Sequence, residues 1–279
     1  MSATKPIDRS AGTVEYHATG GDGPVLVFIS GLTIDGTVWR HVVERLAPDF
    51  RCILPTLPLG AHRIPMHEDA DLSLRGLGLL IGEFLERLDL AHVTLVQNDW
   101  GGAQVLIALG DTSRVAALVL TPFEAFDNYP PGIPGRAIGV AVAIPGGLAL
   151  TMQALRFRAM RRAPAAWGWM SKRPVPKPVM DGWFRPATTD RRVRRDLRKY
   201  TTSLPPKPTL LDWAEANRSF DRPVLVLWAV EDKVMPRDHG RRLAELYPHA
   251  QLREVEDSDT LMPEDRPDVV AASPPVSTS

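Results

Sequence analysis

Asp99 stands where an apolar run, Val93-Thr-Leu-Val96, passes through Gln97-Asn-Asp-Trp-Gly-Gly102 into a helix-forming stretch, Ala103 to Leu109. Strand, tight turn, glycines and helix in that order form a nucleophile elbow. A sharp turn lifts one side chain clear of the sheet, and the glycines let backbone and helix approach without a clash. The residue lifted is a carboxylate, which can attack carbon directly and leave a covalent ester. That chemistry suits alkyl or epoxide carbon before ordinary ester cleavage. The same string also fits an aspartate that simply caps the next helix.

The elements around Asp99 follow from the spacing of apolar residues. Runs bounded by turn residues recur at Val25 to Ile29, Cys52 to Leu54, Val93 to Val96, Ala116 to Leu120, Val224 to Trp228 and Leu252 to Val255, as buried strands of a parallel sheet do. Helical stretches lie between the early ones: Thr37 to Leu46, Ser73 to Leu88 and Trp100 to Leu109, the last stopped by Gly110. This βαβ alternation predicts an α/β fold with a mostly parallel sheet flanked by helices. It breaks off after Thr121 for about ninety residues rich in Pro, Trp and Arg before resuming at Val224. The expected organisation is a core over 1–124, a helical cap over 125–212, a second core segment over 213–272 and a disordered tail over 273–279.

Composition narrows the function. The 279 residues carry 33 Lys/Arg and 33 Asp/Glu, so no global charge points to nucleic acid. The balance is local: Ala125 to Asp212 holds sixteen Lys/Arg against five Asp/Glu, leaving that segment at +11 and the remainder at −11. The lone Cys52 excludes an internal disulfide, and the N-terminal residues have no apolar stretch of signal type, so a cytoplasmic protein is expected. Ala137 to Leu155 carries no charge, but Pro145-Gly-Gly147 in its middle predicts two short helices rather than a membrane span. Gly20-Gly-Asp-Gly23 precedes a strand with no helix after it, and the histidines lack ligand spacing, so neither metal nor cofactor is expected.

Three landmarks together carry a resemblance: Phe28-Ile-Ser-Gly-Leu32 with Trp39-Arg40, Asn98-Asp-Trp-Gly-Gly102, and Trp228-Ala-Val-Glu-Asp-Lys-Val-Met-Pro236. On these the chain resembles the α/β-hydrolase superfamily, in its haloalkane dehalogenase and epoxide hydrolase branch. The resemblance implies Asp99 as nucleophile and the amides of Leu32 and Trp100 as oxyanion donors. It gives the Trp100 indole N–H a leaving halide to hold, and makes Asp232 the acid that orients a histidine. Thr260 occupies the place of that histidine, and threonine is far too weak a base to activate water. The seven histidines stand elsewhere in the chain, while Asp257, Asp259 and Glu264 are either a substitute base or helix caps.

Other positions also depart from the family. Leu32 stands where many dehalogenases use asparagine for halide, and Thr33 where epoxide hydrolases have proline. Tyr129 and Tyr200 are the candidates for the cap tyrosines that protonate an epoxide oxygen. Trp167, Trp169 and Trp183, with Phe184, Met160, Met170 and Met180, either line an apolar substrate pocket or form the cap's own core. Arg191, Arg192, Arg194, Arg195 and Arg198 crowd one helix, as a solvated face or as a contact for an anionic group, an acidic carrier protein or a membrane surface. The expected function is an enzyme of haloalkane dehalogenase type acting on a small or medium apolar substrate. The alternative is a non-hydrolytic member of the fold: a ligand-binding protein, or a lyase, isomerase or cyclase using Asp99 as acid or base.

Overall fold

The computed structural model describes residues 4–273. Each of the six apolar runs becomes a strand: β3 (Val25–Ile29), β4 (Arg51–Thr56), β5 (Val93–Asp99), β6 (Val115–Phe123), β7 (Val224–Ala229) and β8 (Ala250–Val255). Two strands precede them, β1 (Lys5–Arg9) and β2 (Gly12–Ala18), paired antiparallel with each other, β2 also pairing antiparallel with β4. Sequence reading missed both because they are polar. Largely exposed and charged, β1 guards a sheet edge, as such residues do, and carries no apolar run. The sheet order is β1-β2-β4-β3-β5-β6-β7-β8, parallel from β4 onward.

That order creates the site's location. From β3 the chain moves outward to β4 and then returns to place β5 on the other side of β3, so the direction of winding reverses between β3 and β5. Crossover helices then diverge above the C-terminal ends of these two strands and leave a crevice. Leu32 follows β3 and Asp99 ends β5, so both stand at its edge.

Helix α1 (Arg40–Leu46) follows a 3-10 turn at Gly36–Trp39, and α2 (Leu74–Arg87) begins where Ser73 Oγ accepts the Gly76 amide at 3.1 Å. Leu74, Leu77, Ile81, Phe84 and Leu85 of α2 recur at helical spacing and are buried on the sheet. The next helix, α3 (Gly102–Ala108), starts two residues later than its propensity suggests because Asp99 to Gly101 form the turn.

Six helices separate β6 from β7: α4 (Gly132–Ala143), α5 (Gly147–Ala154), α6 (Arg158–Arg161), α7 (Lys177–Thr189), α8 (Arg191–Thr202) and α9 (Lys207–Ala216). The uncharged stretch divides at Pro145-Gly-Gly147, where Gly146 takes a left-handed φ of 76°. After β7 come α10 (Arg237–Leu246), α11 (Met262–Asp265) and α12 (Pro267–Ala271). Of the tail expected to be disordered, Ser273 hydrogen-bonds Val269 O through its hydroxyl, while 274–279 lie outside the described residues. Among the described residues no helix is long and apolar enough to cross a membrane.

Candidate active site

Asp99 has a φ of 65°, a conformation that costs a non-glycine residue energy and persists only where its surroundings impose it. The imposed turn is tight: the Trp100 amide donates to Asn98 O at 2.7 Å, bridging across Asp99. Gln97, on the strand side of the turn, accepts the Ala103 amide at 3.0 Å and so caps α3. Two glycines make room. A Cβ on Gly31 would lie 1.7 Å from Asp99 Oδ2, and one on Gly102 would lie 1.9 Å from the Trp100 ring. With Gly31 bare, the Leu32 amide reaches Asp99 Oδ2 at 3.1 Å. No hydrogen bond among the described residues engages Oδ1.

Parallel pairing of β5 with β6 sets Asp99 opposite Phe123, and the Glu124 amide donates to Asp99 O at 3.1 Å. A second carboxyl group therefore stands beside the first. Burial pushes Asp99 up to about 7, against the single compensating hydrogen bond from Leu32. Glu124 is raised well above the usual carboxylate range, first by burial and then by the charge of Asp99, with the Tyr129 hydroxyl opposing the rise. Burial therefore favours the protonated form of both carboxyls, and the charge of Asp99 adds to that on Glu124.

Tyr200 of α8 completes the cluster. Its hydroxyl accepts the Trp100 indole N–H at 2.8 Å, and the rings meet edge to face with centroids 6.2 Å apart. Tyr200 and Tyr129 are both held protonated, each raised first by burial and then by Glu124. The cavity above these groups has an empty volume of about 710 Å³, mouth included. Its walls are mostly apolar, with Leu32, Pro134, Ile138, Met170, Leu204 and Val234 among them. Trp167 also lines it, and the buried Trp167 Nε1 has no hydrogen-bond partner among the described residues. Buried polar atoms rarely go unpaired, and this one belongs to a side chain on the wall of a space that a substrate could fill.

Several expected roles fall differently. The amide of Trp100 is engaged by Asn98 O and its indole by Tyr200, so neither N–H is free for an oxyanion or a halide in this structure. Asp232 does not line the cavity. Its Oδ1 accepts from the Val234 and Met235 amides at 2.8 and 3.0 Å and from the Thr260 hydroxyl at 2.9 Å, while Oδ2 is buried with no partner. Burial pushes this carboxyl, too, up to about 7. Thr260 is thus hydrogen-bonded to Asp232, but no hydrogen bond among the described residues links either side chain to Asp99. The Thr260 carbonyl accepts from the side-chain Nδ2 of Asn98 at 2.7 Å, which braces the elbow.

No histidine replaces the missing one: none of the seven lines the cavity. His62 is buried against Asp196, His239 packs on Phe126, and His249 bonds Asp221. Asp257 and Glu264 pair with Arg173 and Arg40, and Asp259 faces Lys233, so these acids are structural. Trp183 is fully buried, donating to Thr37 Oγ1 at 2.8 Å, and Trp169 stays off the cavity wall. Glu124 was missed because its placement depends on the β5–β6 register. The available signal was an acid immediately after a strand, at the end of the sheet where ligands bind.

The profile of the alpha/beta hydrolase family matches residues 26–273. The chain belongs to that family. This hydrolase is 30% identical over 140 residues to a haloalkane dehalogenase of Mesorhizobium japonicum, a match spanning 48% of this chain and 44% of that enzyme, less than half of its length. It is 26% identical over 266 residues to a cis-3-alkyl-4-alkyloxetan-2-one decarboxylase of Xanthomonas campestris, covering 89% of this chain and 86% of that one. Among solved structures, the epoxide hydrolase CorEH superposes with a TM-score of 0.75 at 20% identity, covering 97% of this chain and 96% of that chain, a likeness of fold.

Proposed function

We propose that this hydrolase opens an electrophilic, strained C–O bond in a small or medium apolar molecule, with Asp99 as nucleophile and Glu124 as the group that gives and takes the proton. The observation that carries this is the presence of two buried carboxyl groups, Asp99 and Glu124, on the lining of one mostly apolar cavity, both raised by burial and Glu124 further by the charge of Asp99. Asp99 Oδ1, free of hydrogen bonds, attacks the ring carbon. The C–O bond breaks, its electron pair stays on oxygen, and that oxygen takes the proton of Glu124. An ester on Asp99 and an ionised Glu124 remain.

The second half needs no histidine. Ionised Glu124 accepts a proton from water as its oxygen adds to the ester carbonyl. Negative charge then develops on Oδ2, where the Leu32 amide already points; one such preorganised donor is worth roughly 3–4 kcal/mol. Collapse expels the alcohol oxygen, which takes the remaining water proton, and Asp99 is again a carboxylate. Helices α4 to α9 serve as a cap, supplying Trp167, Met170 and Tyr200 to exclude water.

Carbon–halogen cleavage, the activity in the names of the dehalogenase relatives, draws less support from this site. A halide leaves without a proton, and the indole N–H expected to hold it is engaged by Tyr200. A second reading, in which Asp99 acts as acid or base in a lyase reaction with no ester, is favoured by the lack of a cavity histidine and by the long match to an oxetanone decarboxylase. Intact-protein mass spectrometry with terminal epoxides and bromoalkanes of equal chain length separates them. Diol formation from epoxides by the native protein, with no product or adduct from Asp99→Ala, is the expected result; turnover that survives Asp99→Ala sinks the nucleophile assignment.

A further inference from the structure

The surplus cations of the helical segment are not where the sequence crowds them. On α8, Arg192 pairs with Asp190, Arg194 bonds the carbonyls of Ala187 and Thr188, Arg195 holds Asp196 and Met66 O, and Arg198 bonds Val142 O. Those side chains tie helices together. From Asn128 to Met180 the chain has eight Lys/Arg and no Asp/Glu. Four of these eight, Arg161, Lys172, Arg173 and Lys177, reach acids brought from elsewhere. Arg136, Arg158 and Arg162 are exposed and form no ion pair among the described residues, and Arg156 meets only the Gln153 amide group.

The same stretch holds most of the exposed large apolar side chains. Leu150 is 71% exposed, Phe157 69% and Val140 62%, and Ile133, Ile144 and Met160 are exposed as well. On α4 the exposed residues Ile133, Arg136 and Val140 recur at three- and four-residue spacing, which makes one unpartnered helix face, and exposed Ile144 follows directly after the helix. The other side of α4 is buried through Pro134 and Val142 and supplies Ile138 to the cavity wall. Leu150 lies on α5, packed against α4, and Phe157 lies in the loop that follows.

We propose that α4, α5 and the loop to α6 form a peripheral docking surface for an anionic phospholipid bilayer. The chemistry of the patch fits that occupant. Aliphatic and aromatic side chains insert at the boundary of the acyl region, while unpaired arginines reach phosphate, and neither contact needs directed geometry. Acidic side chains, which an anionic headgroup layer would repel, are absent from the whole stretch. A protein partner would meet few groups able to set orientation, because the exposed residues are almost all aliphatic side chains and arginines. The arrangement also places the substrate cavity one helix away from the lipid, on the opposite side of α4.

Sedimentation of the full chain with vesicles tests this, using phosphatidylcholine alone and phosphatidylcholine with phosphatidylglycerol, and soluble polyglutamate as a competitor. The protein is expected to pellet with the anionic vesicles and to be released as salt rises. The triple variant Arg136→Gln, Arg158→Gln, Arg162→Gln should bind about 10²-fold more weakly, since each basic residue near such a surface contributes about five-fold. Leu150→Ser with Phe157→Ser should lose at least about ten-fold. Both sites are exposed, so circular dichroism should be unchanged. Failure to pellet with anionic vesicles overturns the proposal, as does binding indifferent to the two serine changes. Capture by polyglutamate without vesicle binding would mean an acidic protein partner instead.

Discussion

At the scale of single residues, the decisive pair is Asp99 with Glu124. Their roles predict opposite consequences of removing charge from each. Asp99→Asn removes the nucleophile and should abolish both adduct and product. Glu124→Gln leaves the nucleophile but has no proton to give and cannot accept one, so ester formation slows and its hydrolysis slows more. We expect a loss of about 10²- to 10⁴-fold in turnover, the range for a positioned acid or base, with an ester on Asp99 accumulating in the mass spectrum. An unmodified Glu124→Gln protein at full turnover would remove Glu124 from the reaction. The pH dependence follows from the same groups. Asp99 must be ionised to attack, so activity should climb as pH rises through about 7. Glu124, raised well above its usual range, must keep its proton, so the decline should come only at higher pH. A pH–rate profile flat across neutrality would contradict this assignment.

Elements act here chiefly by holding those residues in place. Pairing of β5 with β6 brings Glu124 to Asp99, and α8 brings Tyr200 to Trp100. The anchor of α8 is a buried hydrogen bond to Asp196. His62 Nε2 lies 3.2 Å from Asp196 Oδ2, while His62 Nδ1 accepts the Gly60 amide at 3.3 Å. Burial alone would raise Asp196, but bonds from His62, the Met66 amide and Arg195 outweigh it and hold the carboxyl below its ordinary range. Removing His62 takes one of the bonds that hold this buried carboxylate and leaves those from Met66 and Arg195, which costs about 1–3 kcal/mol. His62→Ala should therefore lower stability by that amount in urea unfolding. Because Tyr200 and Thr201 of α8 line the cavity, it should also raise KM. A loss of stability with KM unchanged would show that α8 keeps its position without this anchor.

For the molecule as a whole, the buried carboxyls link the site to stability. Asp99 and Asp232 have ordinary values of 3.8 in the unfolded chain and about 7 in the fold. Between those values the folded protein holds protons that the unfolded chain has released, so these two groups make stability fall as pH rises from about 4 to about 7, and Glu124, also raised, adds to the fall. Each pKa unit corresponds to about 1.4 kcal/mol, so the decline should amount to several kcal/mol and several degrees in Tm. Asp99→Asn with Asp232→Asn should lessen it and leave the variant more stable than the native chain at pH 8. A native Tm that instead rises from pH 5 to 7 would contradict the burial of these charges. The separation of charge along the chain, +11 over 125–212 against −11 elsewhere, is partly reconciled by pairs such as Lys172–Glu231, Arg173–Asp257 and Arg195–Glu68.

By itself the sequence determined what depends on near neighbours. Apolar runs gave six of the eight strands, Pro145-Gly-Gly147 broke the uncharged stretch, and the Gln97 to Gly102 string placed Asp99 on a tight turn, because backbone conformation there responds to residues a few positions away. The α/β fold and the family were legible for the same reason, as was the absence of a histidine at Thr260. The tertiary structure decided what depends on register and on docking between distant segments. Glu124 joins Asp99 only once β5 pairs with β6, Trp100 turns to Tyr200 only once α8 is seated, and Thr260 meets Asp232 across 28 positions of chain. Contacts of that range are selected by the packing of the whole core, and no local pattern encodes them.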